Sequence, residues 1–137
     1  MSVALARLAF ASTRVEPRDR VIDCVVGLEA LLIGPENATE LRFRFSLNYA
    51  MLQTDPTTRP EAFQRARDLY DLRSRLAHGG TVSSSTKIGS TPHLPLTNVA
   101  DIAWQMLSET ISACLDLDPA TTYLASDFWK KKYFGLV

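Results

Sequence analysis

Histidine and cysteine are scarce in this chain, two of each in 137 residues, and their placement excludes several chemistries. Cys24 and Cys114 stand far apart, each inside an apolar run. They read as small buried hydrophobes in a reducing compartment, with no disulfide framework and no CxxC pair. His78 and His93 come without HExxH spacing or clustered carboxylates, so neither a metal site nor a cofactor is expected. Charge of one sign is missing as well: Lys plus Arg and Asp plus Glu number 15 each. That balance excludes a protein that coats nucleic acid by bulk charge, although a local basic site stays open. No apolar run reaches the ~18 residues of a membrane span. The opening MSVALARLAFAS lacks a basic segment ahead of a continuous apolar stretch, so it does not read as a signal peptide. A cytoplasmic protein with no membrane contact is the expectation.

Strand-like alternation is also lacking, and helical spacing takes its place. A first helix is predicted over about residues 2–13, with Val3, Leu5, Leu8, Ala9 and Phe10 apolar. Pro17 opens a second, which runs to Ile33, is apolar nearly all round and so belongs at the centre of a bundle. Gly34 and Pro35 stop it. A third helix starts at Asn37, with Asn37 and Glu40 at capping-box spacing, and ends near Gln53. The fourth covers Pro60 to Ala77, with Gly79 as the left-handed residue beyond its end. Residues 79–95 form a long loop rich in Gly, Ser, Thr and Pro. A fifth helix follows over about Thr97 to Leu117, capped by Thr97 or Asn98, with Asp101 in its first turn. The tail has room for one short helix whose aromatics Phe128, Trp129, Tyr133 and Phe134 dock on the bundle or on a partner. The fold class is therefore all-α, a bundle of five to six helices in a single domain, 1–137. Its first helix opens almost at Met1, as it also would in a domain excised from a longer protein.

One stretch breaks the pattern, 69-LYDLRSRLAHGG-80. On a regular helix at ~100° per residue, Ala62, Ala66, Leu69, Tyr70, Leu76 and Ala77 all fall within roughly 60° of Arg73. The arginine is thereby placed on the midline of the apolar stripe. A desolvated guanidinium keeps its proton and needs an anionic or hydrogen-bonding partner. Glu29 is one, on a stripe of the second helix with Ile22, Val25, Val26, Leu32 and Ile33. The two read either as a core ion pair that fixes helix register or as part of a site. His78, carried on as helix, points ~140° away from Arg73. It can share a site with that arginine if the helix ends at Ala77 and the glycines swing it back. The alternative is that the arginine of one chain meets the histidine of another across a two-fold axis. A lone histidine at a helix end is otherwise a cap.

Arg73 to His78 spell R-x4-H. Together with 19-DRVIDCVVGLEALL-32 and 40-ELRFRFSLNYAMLQ-53, in that order, the chain resembles the HEPN superfamily and, more closely, its Apea-like group. The blocks cover roughly residues 5–80. The resemblance implies a HEPN-like helical bundle and a metal-independent endoribonuclease, of the kind found as toxins and defence effectors. Its arginine and histidine would line a cleft at a homodimer interface and cut RNA by attack of the RNA's own 2′-hydroxyl. Arg73 would then hold the scissile phosphate, and His78 would serve as general base or acid. Glu29 would orient one of them. Ser74 stands where active members commonly carry Asn, Asp or His. The partners implied are a second copy, a single-stranded or tRNA-like RNA, and an antitoxin. A non-catalytic RNA- or nucleotide-binding or dimerisation module of a larger defence protein is the other reading.

Further cations surround the motif. Arg67 and Arg75, with Tyr70, are candidates for binding the RNA chain, and Arg59 and Arg65 extend the positive face. Glu61, Asp68 and Asp71 balance that face equally well as a solvated one. The run 130-KKK-132 beside Trp129 and Tyr133 reads as the basic edge of a terminal helix.

Overall fold

The computed structural model describes residues 1–33, 40–117 and 126–137. They form α1 (Ser2–Thr13), α2 (Pro17–Leu32), α3 (Leu41–Met51), α4 (Arg59–Ala77), α5 (Leu96–Leu115) and α6 (Ser126–Tyr133). The chain is thus an all-α bundle of six helices among the described residues. None of those helices is long and apolar enough to cross a membrane.

Helix α2 is central, as its sequence predicts, and touches α1, α3, α4 and α5. Pro17 occupies its first turn, where a missing N–H loses no hydrogen bond. Val21, Cys24, Val25, Leu28, Leu31 and Leu32 are fully buried. Burial pushes the Cys24 and Cys114 thiols up to about 12 and about 11, so both are inert packing groups. α3 and α4 pack as an antiparallel hairpin closed by a single 3-10 turn, Pro56–Thr58, in which Asp55 accepts the Thr57 amide.

Several local expectations change. In α1 the buried residues are Ala4 and Ala11, while Val3, Leu5 and Phe10 are exposed. Two small residues let α1 lie close to α2, which brings Arg7 over that helix. Asp23, in the midst of the apolar face of α2, is buried and accepts from Arg7 Nη1 at 2.7 Å and Arg14 Nε at 3.1 Å. α2 ends one residue early, at Leu32. The stop at Gly34 and Pro35 and the Asn37 cap lie outside the described residues. α3 itself opens at Leu41, with Glu40 left-handed at φ 56° and making no side-chain cap. α5 begins at Leu96 behind Pro95, so Thr97 and Asn98 are inside the helix and cap nothing. Asp101 lies beyond the first turn and pairs with Arg20 at 2.9 Å.

The long loop is tied down. Ser85–Thr86 (β1) and Leu94–Pro95 (β2) pair antiparallel, Ile88 is buried, and the turn between them is held by α4. Glu61 accepts from the Ser90 amide and hydroxyl, each at 2.9 Å, and Asp68 accepts from the Gly89 amide at 2.8 Å. Gly89 has φ +60°, and a Cβ there would fall 2.3 Å from Glu61 Oε1. In α6, Phe128 and Trp129 are buried in edge-to-face contact at 5.0 Å. The Tyr133 hydroxyl donates to Asn48 Oδ1, and Asn48 Nδ2 donates to the Leu32 carbonyl at 2.7 Å. Phe134 remains exposed and does not dock on the bundle.

Two consequences are measurable. Asp23 retains only 4% side-chain exposure and takes two charge-assisted hydrogen bonds. Asp23→Ala is therefore expected to lower unfolding stability by about 2 kcal/mol in urea titrations; a change below ~0.5 kcal/mol would show the triad to be idle. Hydrogen bonds from the Ser90 amide hold the Glu61 carboxyl below the usual carboxylate range. A carboxyl with a depressed folded-state value contributes above its unfolded value and loses that contribution as pH falls through the folded one. Ser90 amide protection should therefore drop in acid below about pH 4. Glu61→Gln should flatten that dependence in NMR hydrogen exchange.

Candidate functional site

Helix α4 carries most of the site residues. Its buried positions are Ala62, Ala66, Leu69, Leu72 and Leu76. Leu72 belongs to the stripe and Ala77, which is exposed, does not. The centre of the true stripe lies ~40° from Arg73 on the Leu72 side. Arg73 is therefore at the margin of the core, not on its midline. Glu29 is likewise marginal, on the half-buried α2 face that also carries Ile22, Val26 and Ile33.

The two meet as expected. Arg73 Nη2 lies 3.4 Å from Glu29 Oε2, with side chains 28% and 22% exposed. The contact is long for a charge-assisted hydrogen bond. Arg73 Nε is buried and has no hydrogen-bond partner among the described residues. Burial pushes the Glu29 carboxyl above its ordinary value, and the neighbouring Arg73 charge only partly offsets this. Tyr70 completes the cluster. Its ring centroid is 5.2 Å from that of Phe45, and burial, then the Glu29 charge, raises its hydroxyl above the ordinary value.

His78 is the residue just past α4, exposed, with φ −85° and ψ 7°. Its amide still donates to the Ser74 carbonyl at 3.2 Å. The helix ends at Ala77 as predicted and Gly79 is left-handed at φ +73°, but the turn begins after His78. A near-helical His78 leaves its side chain pointing as a continued helix would, ~140° from Arg73. The glycines therefore do not swing it back. Within one chain the two motif residues face different directions.

Ser74 donates its hydroxyl to the Tyr70 carbonyl at 3.2 Å, inside its own helix. Arg75 is exposed beside His78. Arg67 lies six residues before Arg73, ~9 Å along the axis, and lines a cavity of about 370 Å³ between α3 and α4. That cavity reaches neither Arg73 nor His78. Sequence reasoning missed Arg18, whose guanidinium donates to the Leu76 carbonyl and so closes the last turn of α4 next to His78. Its only signal was a cation in the first turn of α2, which says nothing about which helix end it reaches. No three His, Cys, Asp or Glu side chains cluster in metal-binding fashion among the described residues.

Comparison with protein-family models, with curated proteins and with solved structures returns no match. The site is therefore read from its own chemistry.

Ionised Glu29 has a raised folded-state value, so the folded chain holds its proton more tightly and stability falls as pH rises through that value. Desolvation outweighs the attraction across 3.4 Å, and both groups are partly exposed, so the net contribution of the pair is small. Glu29→Gln is accordingly expected to shift unfolding stability by less than ~1 kcal/mol at pH 7 and to remove this pH dependence. A loss of several kcal/mol in denaturant titrations would instead make the pair a structural salt bridge.

Proposed function

We propose that the chain is a metal-independent endoribonuclease of the HEPN type, acting as a homodimer in the reducing cytoplasm. The observation that carries this reading is the state of Arg73. It is half out of water and held by one long contact to a carboxylate that burial disfavours, with Nε unpartnered. Such a guanidinium has donors to give a phosphate, and its charge persists at any physiological pH.

In the mechanism, Arg73 binds the non-bridging oxygens of the scissile phosphate and stabilises the charge that builds there. His78 of the partner subunit takes the proton from the 2′-hydroxyl. The 2′-oxygen then attacks phosphorus, and the bond to the 5′-oxygen breaks. Solvent water protonates that leaving oxygen, and the imidazolium returns its proton to solvent. The products are a 2′,3′-cyclic phosphate and a 5′-hydroxyl, with no metal or co-reactant consumed. The diverging directions of Arg73 and His78 within one chain support a composite site, in which each motif is completed by the other copy. Arg18 and Arg75 add positive charge at the same end of α4. Glu29 positions Arg73.

A second reading, a non-catalytic RNA-binding or dimerisation module, is favoured by one observation: the Ser74 hydroxyl is engaged by its own helix. Cleavage of labelled RNA in chelator separates the two. Arg73→Ala and His78→Ala are each expected to lower the rate at least ~100-fold while the dimer and its circular dichroism persist. Mixing the two inactive variants should restore part of the activity, because heterodimers contain one intact Arg73–His78 pair. Cleavage that neither variant affects ends the proposal, and a mixture that stays dead ends the composite site.

A further inference from the structure

The cavity between α3 and α4 has features that the bundle does not need for stability. Its mouth holds Phe43, 54% exposed, whose ring meets Phe63 edge-on at 5.9 Å and 66°. The contact fixes the orientation of Phe43 and leaves half of a large aromatic side chain in water, a ready stacking surface for a base. The volume, about 370 Å³, lies at the lower end of the ~300–1,000 Å³ typical of small-ligand sites, which suits one nucleotide.

The polar groups around Phe43 differ in what they have left to offer. Arg42 is spent on Asp71 at 2.5 Å. Arg67 forms no ion pair among the described residues, so its charge is available to an anion. Ser46 is fully buried and donates its proton to the Arg42 carbonyl at 2.8 Å, so it offers a ligand nothing. Glu40, held left-handed at φ 56°, brings a carboxylate that only accepts. One face of the cavity therefore seeks an anion and another seeks N–H donors.

Among the four RNA bases, guanine alone presents two adjacent donors on one edge, N1–H and the N2 amino group. Adenine, cytosine and uracil set an acceptor beside each donor, which a carboxylate repels. We propose that the cavity is a guanine nucleotide subsite, with the base on Phe43, its donor edge toward Glu40, and its phosphate on Arg67. The role in RNA selection rests on the nuclease reading: Arg67 and Arg73 share α4, ~9 Å apart along its axis and ~120° apart around it, so an RNA chain wrapping that helix would join a guanosine held here to the scissile phosphate. The binding itself does not rest on it.

Calorimetric titration of the full chain with GMP, AMP, CMP, UMP and inorganic phosphate tests the assignment. GMP is expected to bind at least tenfold tighter than the other nucleotides and than phosphate. Phe43→Ala and Arg67→Gln should each weaken GMP binding at least tenfold, with circular dichroism confirming that both variants are folded. Glu40→Gln should erase the preference for guanine. Amide shifts on GMP addition should concentrate in residues 40–46 and 63–67. Equal affinity for the four nucleotides, or undiminished GMP binding by folded Phe43→Ala, overturns the proposal. Arg73→Ala separates the two ideas, since it should bind GMP as the parent does. RNA cleavage without GMP binding would sink the subsite alone, and GMP binding without cleavage would sink the nuclease alone.

Discussion

Of the five charged side chains of α2, Asp19 is exposed and the other four are met from outside that helix, on the sides of α1, α4 and α5. Arg18 reaches the carbonyl end of α4, and Arg20 reaches Asp101 of α5 and the Ala11 carbonyl of α1. Asp23 takes Arg7 and Arg14, and Glu29 takes Arg73 of α4. A helix with four neighbours has little free perimeter, so a charge beyond its first turn is either paired or driven to a seam. The four contacts differ in weight. Asp23 is buried and its loss leaves an interior gap in hydrogen bonding, whereas Arg18 and Arg20 are partly exposed and contribute tenths of a kcal/mol. The centre of the bundle is thus tied most firmly at α1, and more loosely at α4.

That looseness is where the proposed chemistry lies. Arg73 and Glu29 meet at the seam of α2 and α4, far enough from full burial to remain wet and close enough to raise the carboxyl. A guanidinium so placed pays little to exchange one anion for another. The end of α4 supplies the rest: a near-helical His78, Arg75 and Arg18 gathered around carbonyls that are already satisfied. About 120° around the same helix, toward α3, lie Arg67 and the cavity that Phe43 and Phe63 line. One helix therefore presents two polar surfaces, separated by its own curvature and linked by the 9 Å or so between the arginines.

The helical periods were readable because each is written locally. Pro17 and Gly79 stand where a first turn and a left-handed exit require them, and α4 departs from its predicted range by one residue. Position around a helix was less readable. Arg73 was assigned the midline of the α4 stripe because Leu72 was left out of it, and only the packing of α4 shows Leu72 buried. In α1 the small alanines are inside and the larger Val3, Leu5 and Phe10 outside, a reversal that hydrophobicity alone does not foretell. Asp23 was passed over because one carboxylate in an apolar run is ambiguous until its cations are found.

By itself, then, the order of residues determined the all-α class, the central place of α2, the pairing of Glu29 with Arg73, and the end of α4 at Ala77. These depend on spacing of 3.6, on turn chemistry and on charge complementarity, all short-range or sign-based properties. Tertiary structure alone decided that Arg73 is marginal, and that the contacts of Arg18, the Asp23 triad and the Phe43 cavity exist as groupings of side chains. Each of those is a relation between helices distant in sequence, set by the depth and rotation with which they pack, and no periodicity along a single helix encodes it.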